Sequence, residues 1–497
     1  MSDAKSAAVL TRRLLIGGLL GTAALAASPA LANAPGQSLR PRPRGGLAPA
    51  AATPAAGTGA AQPASAAALI EQARLGGQVS YAVLDARSGE LLEARGETQA
   101  LPPASVAKAV TALFALDRLG AGFRFATRVL ATGPVSGGRV QGDLILAGGG
   151  DPTLDTDRLA DLAIALKNRG IRGITGRFLL QDNALPGLSR IDAGQPLHVG
   201  YNPAISGLNL NFNRVHMEWK RASKGWQIAM DARGARHNPA VRIARAAIAE
   251  RQSPIFTFEE RDGTERWTVA SAALGKGGSR WLPVRRPAAY AGEVFQTLCA
   301  AQGITLPNPR QGGGQGTVVA ETLSPPLVPL LRDMLRHSTN LTAEVVGLTA
   351  SGQTSLRASA AMMNAWVRER HGVDLALVDH SGLGGDSRVS ALAMARLMLR
   401  NPQLTEILRP YQTPAKAPAD RAPVLAKTGT LNFVSGLAGH VQTRRPLAFA
   451  IFSADTPRRD ALRGDERERP RGGPEWTTRA RTLQGLLLER WAAVYGA

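Results

Sequence analysis

Pro102-Pro103-Ala104-Ser105-Val106-Ala107-Lys108-Ala109-Val110-Thr111-Ala112-Leu113-Phe114-Ala115-Leu116 is the stretch on which the fold turns. The two prolines stop the strand before them, and Ser105 opens a helix predicted to reach Leu119, where Gly120-Ala121-Gly122 closes it. Its residues leave almost no polar face, and a helix apolar all round is buried. Serine and lysine at i and i+3 share a face one turn apart, so the amine of Lys108 can reach the hydroxyl of Ser105. Burial disfavours the ammonium form and turns Lys108 into a general base near neutral pH, while the helix N-terminus favours negative charge beside Ser105. Alone, the pair also fits a helix cap followed by a lysine that snorkels to water, and Ser2-Asp3-Ala4-Lys5 repeats the spacing.

Two further motifs follow in order. Ser338-Thr339-Asn340 lies between a helical run ending at His337 and another starting near Leu341, where a turn can aim a hydroxyl and an amide into one cleft. Lys427-Thr428-Gly429-Thr430 lies in an expected strand from Val424 to Leu431. There, glycine permits close approach to the strand while lysine and threonine can hold a carboxylate. By composition, roughly 0.4 Ser-x-x-Lys, 0.7 Ser-x-Asn and 0.05 Lys-Thr-Gly matches are expected by accident. The three together, in this order, are not a chance set.

Around these motifs the 497-residue chain has ordinary globular composition, 44% hydrophobic and 20% charged. Its net charge of +21 suits a polyanionic partner, yet almost all of it is scattered arginine and no basic block marks a nucleic-acid tail. A single cysteine, Cys299, excludes an intramolecular disulfide. Residues 1–34 read as an export signal: Lys5, Arg12 and Arg13, then an apolar run from Leu14 to Ala27, then Ala30-Leu31-Ala32. Thr11-Arg12-Arg13 before Leu14-Leu15 also resembles a twin-arginine signal, so a periplasmic protein is expected by that route or the general one. Residues 35–65 form an Ala/Pro/Gly-rich linker.

From Ala66 the pattern gives a short helix, a hairpin of Gln78–Leu84 and Leu91 onward, and then the serine-bearing helix. A long Gly-punctuated tract with alternating runs, such as Val140–Leu146 and Leu208–Phe212, separates it from a helical cluster after Leu327. Two apolar strands, Leu437–Val441 and Leu447–Phe452, and a helix through Leu483–Trp491 end the chain. The expected organisation is a multi-domain α/β chain. A catalytic domain of 66–128 and 318–497, antiparallel sheet plus helical cluster, carries a β-rich insertion of 129–317.

The three motifs resemble the active-site signature of penicillin-binding proteins and serine β-lactamases. About 230 residues between Ser105 and Ser338 narrow this to the low-molecular-mass class C, penicillin-binding protein 4 type of D-Ala-D-Ala carboxypeptidase and endopeptidase, which carries domains between the first two motifs. Gly149–Leu154, Ser206–Asn213 and Asp379-His380-Ser381-Gly382-Leu383 agree. One departure stands out. The family pattern Asp-Gly-Ser-Gly-Leu-Ser-Arg becomes Asp-His-Ser-Gly-Leu followed by Gly384-Gly385-Asp386, and the Ser-Arg pair comes only at Ser387-Arg388. An arginine there would grip the acidic end of the peptide side chain, and Arg388 would have to do so through a lengthened loop.

The resemblance implies a serine β-lactamase/transpeptidase-like fold and attack by Ser105 on the bond between two terminal D-alanines of peptidoglycan stem peptides, with Lys108 as base. Ser338, bonded to Lys108 and Lys427, would relay a proton to the leaving amine. Asn340 would hold the peptide amide, Lys427, Thr428 and Gly429 would form the carboxylate-binding edge, and Ser105 and Thr430 backbone N–H groups the oxyanion hole. β-Lactams would act as inhibitors that trap Ser105. No cofactor or metal is called for, since the 7 histidines show no H-E-x-x-H or paired spacing. No nucleic acid and at most peripheral membrane contact are expected, and the sequence leaves the oligomeric state open. A β-lactamase or esterase on the same fold and a non-catalytic peptidoglycan-binding protein are the rival readings. A Ser-His-Asp hydrolase has no G-x-S-x-G elbow to stand on.

Overall fold

The structure, a computed structural model, describes residues 63–412 and 422–497. The leader expected at 1–34 and the linker as far as residue 62 lie outside the described residues.

The sheet that organises the site has six antiparallel strands in the order Arg409–Pro410, Val424–Leu431, Val434–Val441, Leu447–Ala454, Gln78–Asp85 and Leu91–Arg95. The N-terminal hairpin thus completes a sheet begun at the C-terminal end of the chain. Successive side chains alternate between faces. Val434, Ala438, Ala448, Ala450 and Phe452 enter one core with the helices Ala107–Leu119 and Ala391–Arg400. Leu437, Val441, Leu447, Phe449 and Ile451 enter a second with Trp476, Leu483, Leu487 and Trp491 of the last helix. With both faces covered, the central strands read as nearly continuous apolar runs, interrupted by Ser435, His440 and Ser453. The last helix is longer than its apolar centre suggests, Gly473–Tyr495, and packs on the sheet. Among the described residues no helix is long and apolar enough to cross a membrane.

The tract between the first two motifs leaves and returns through a pair of antiparallel strands, Ala126–Ala131 and Thr317–Leu323. These belong to a five-stranded sheet with Leu144–Gly148, Phe178–Gln181 and Arg310–Gln311. Beside it are three three-stranded sheets, built on Arg214–Arg221, on Thr264–Ala270 and on Arg139–Val140. The tract also contains two helices, Thr156–Asn168 and Pro287–Ala301, and has its own apolar core around Leu146, Phe178, Val215, Trp267 and Phe295.

The alternating run Leu208–Phe212 is not a strand. It ends in a 3-10 turn at Asn211–Asn213, with all three residues in the left-handed region. Buried side-chain amides replace a ladder there: Asn213 donates to Ala204 O and Asn209 Oδ1, and Asn211 donates to Thr156 Oγ1. Asparagine tolerates the left-handed region and bonds locally to backbone, which is why the alternation misleads.

Candidate active site

Ser105 sits in a 3-10 turn, Ala104–Val106, that runs straight into the helix Ala107–Leu119. Ala104 just before it holds a φ of 47°, a left-handed position costly for a residue with a Cβ. The turn is pressed from two sides. A Cβ at Gly429 would lie 2.5 Å from Pro103 O and 3.0 Å from Ser105 N, so the strand bearing the third motif reaches the serine only because that residue is glycine. On the other side Gly382, at φ +72°, lies so close that a Cβ would stand 1.9 Å from Ala104 O.

Lys108 is fully buried. Its Nζ donates to Ser105 Oγ at 2.9 Å, to Asn340 Oδ1 at 2.7 Å and to the Ser381 carbonyl at 2.7 Å. Burial lowers its pKa to about 7 against the opposing pull of Glu344 and Asp379. Lys427 is buried as well; its Nζ donates to Ser338 Oγ at 3.1 Å and to Thr428 O at 2.7 Å. Burial, with Lys108 and Arg409 nearby, holds its pKa well below the usual lysine value.

All three motifs therefore meet, with one correction. The expected bond between Lys108 and Ser338 is not made, because an ammonium has three donors and Ser105, Asn340 and Ser381 take them all. Asn340 is engaged too: its Nδ2 donates to Tyr201 O at 2.9 Å, which ties the second motif to the inserted tract. Ser338 reaches its place as the left-handed C-cap (φ 57°) of helix Leu327–His337, and Thr339 is the N-cap of helix Asn340–Ser351. Thr430 Oγ1 accepts from Arg481 of the last helix at 3.2 Å. Arg388 turns back on its own loop, donating to Gly385 O and Ser387 O.

Sequence reasoning missed the groups behind the lysine. Glu344, fully buried, accepts from the backbone N–H of His380 at 3.0 Å and of Ser381 at 2.9 Å. Asp379 accepts from the N–H groups of Gly382 and Gly384. The available signal was an acid inside the apolar run Leu341-Thr342-Ala343-Glu344-Val345-Val346-Gly347-Leu348, since a charge on a buried helix is seldom idle. Among the described residues no group of His, Cys, Asp and Glu could hold a metal ion.

Comparison with known proteins agrees with this geometry. The chain is 28% identical over 429 residues to the D-alanyl-D-alanine carboxypeptidase of Actinomadura sp. (strain R39), covering 78% of this chain and 79% of that one. Its fold matches penicillin binding protein 4 from Haemophilus influenzae with a TM-score of 0.71 at 22% identity, over 86% of this chain and all of the other. A structure of that protein complexed with a β-lactam matches with a TM-score of 0.68 at 21% identity, over 86% of this chain and 100% of the other. These matches show the expected penicillin-binding fold. With a model of the family matching residues 62–470, most of its length, the chain belongs to the D-Ala-D-Ala carboxypeptidase 3 (S13) family.

Proposed function

We propose that this chain, a serine D-Ala-D-Ala carboxypeptidase and/or D,D-endopeptidase, cleaves peptidoglycan stem peptides through an acyl-enzyme on Ser105. The observation that carries the residue assignment is the buried amine of Lys108, 2.9 Å from Ser105 Oγ and lowered to about pKa 7. Lys108 takes the Ser105 proton as Oγ bonds to the carbonyl carbon between the two D-alanines. Backbone N–H groups of Ser105 and Thr430 receive the developing negative charge on the carbonyl oxygen. Substrate that claims Asn340 with its amide frees one donor of Lys108, which then reaches Ser338. The proton returns along that path to the departing amine as the C–N bond breaks, and water later hydrolyses the ester. Lys427, Thr428 and Gly429 form the edge that receives the terminal carboxylate.

The same reading assigns 66–128 and 318–497 to the catalytic unit and 129–317 to an insertion. It also places the protein in the periplasm after export. β-Lactams are its expected covalent inhibitors. The test is release of D-alanine from a pentapeptide ending in D-Ala-D-Ala: the parent is expected to release it and Ser105→Ala is not. Equal release by both would remove Ser105 from the mechanism.

A further inference from the structure

The base in this site hangs on a main-chain carbonyl, and the loop bearing that carbonyl is itself held from behind. Lys108 Nζ donates to Ser381 O at 2.7 Å. Ser381 and its neighbour His380 give their N–H groups to the two oxygens of Glu344, one each, at 2.9 and 3.0 Å. Both residues flank one peptide plane, so the carboxylate fixes the orientation of the loop at the point where the lysine is tethered. Glu344 lies on the helix Asn340–Ser351, one turn beyond Asn340, so that helix supplies both the amide that touches Lys108 and the acid that holds its carbonyl.

The surroundings are built to keep this arrangement. Thr111, on the lysine's own helix, donates to His380 O at 2.7 Å. The His380 ring stacks on Phe114, bonds Ser359 Oγ at 2.6 Å, and fills a space that exists only because residue 347 is glycine, where a Cβ would fall 2.2 Å from the ring. A carboxylate that ties two backbone amides and sees no solvent has few structural alternatives to holding that loop.

Resting on the functional reading above, we propose that Glu344 is a positioning residue for the Ser105–Lys108 pair: it sets the place of the Ser381 carbonyl, and with it the line along which the tethered amine meets Ser105 Oγ. The charged and titratable groups that face this amine and acid are Asp379 on the loop, Lys427 on the strand Val424–Leu431 and His380. His380 is held neutral by burial, with a pKa near 3. Burial and Asp379 push Glu344 itself up to about 8. The acid is therefore mostly neutral where Lys108 titrates, and it acts on the amine through position rather than charge.

The experiment is the pH dependence of acylation by a labelled penicillin, followed by intact mass, for the parent, Glu344→Gln and Glu344→Asp, with thermal melting of each. Glu344→Gln is expected to leave the acidic limb of acylation within about half a pH unit of the parent's. It should also slow the plateau at least tenfold, because an amide cannot accept both N–H groups. Glu344→Asp keeps the acid on a shorter arm, so its plateau should fall as well, with the limb unmoved. If Glu344→Gln does not fold, a Glu344→Asp plateau equal to the parent's overturns the proposal by itself. A plateau in folded Glu344→Gln equal to the parent's, with the parent acylated normally, overturns the proposal alone. A parent that takes no label at any pH overturns the functional reading and this proposal with it.

Discussion

Lys108 gives the sharpest quantitative expectation. An ordinary lysine, with a pKa of about 10.5, is neutral in only about one molecule in three thousand at pH 7. Burial of this amine lowers its pKa to about 7, which leaves about half of the molecules with a neutral base. The gain in reactive fraction is more than about a thousandfold, or on the order of 4 kcal/mol in barrier at neutral pH. The rate of acylation by a labelled penicillin should therefore rise tenfold per unit from pH 5, bend near 7 and level off above it. Lys108→Arg should cost at least about a thousandfold at pH 7, because a guanidinium stays charged across that range. Stopped reactions read by intact mass measure both. A flat profile from pH 5 to 9, a limb centred above 9, or an arginine variant within tenfold of the parent would refute the assignment of Lys108 as base.

Gly382→Ala should reduce acylation at least about a hundredfold and destabilise by about 2–4 kcal/mol, because the added Cβ collides with the backbone at Ala104 O, displaces Ser105 and strains a left-handed position; acylation rates and denaturant melts check both halves. Gly347→Ala should destabilise by about 2–3 kcal/mol through its collision with His380. In a chain that already carries His380→Ala, the same Gly347→Ala change should cost less than about 1 kcal/mol, and additive effects in denaturant melts would count against the packing argument. Glu468 links the C-terminal segment to the inserted tract through His198 at 2.6 Å and Arg280 at 2.8 Å. Burial opposes its ionisation, but these bonds outweigh burial and hold its pKa at about 2. Its stabilising contribution is thus complete above its unfolded pKa of about 4.3 and lost as pH falls toward 2. Glu468→Gln should lower stability at pH 7 by about 2 kcal/mol, and the difference from the parent should shrink in melts between pH 4 and 2.5.

What the sequence revealed here follows from how local each signal is. The serine-bearing helix was legible because burial on nearly every side leaves a mostly apolar run, and the central strands for the same reason. The Ser-x-x-Lys spacing was legible because one helical turn fixes it. Three features depended on distant partners and were not. The Lys108–Asn340 bond in place of Lys108–Ser338 reflects which of three donors each neighbour reaches across 232 residues of chain. Glu344 looked like a lone acid until the loop at His380 and Ser381 folded over it. Leu208–Phe212 alternates as a strand does, yet its asparagines find buried partners in remote segments and twist it into a turn.

The most direct test of the whole account is covalent labelling at a single atom. The parent and Ser105→Ala should be incubated with a labelled penicillin, weighed intact over time, and digested to locate the label. The account predicts one equivalent of stable label on the parent, mapped to the peptide containing Ser105, and none on the variant. Label on another residue, or an unlabelled parent beside undiminished penicillin, would contradict it, while an unlabelled parent that consumes penicillin would point to a β-lactamase.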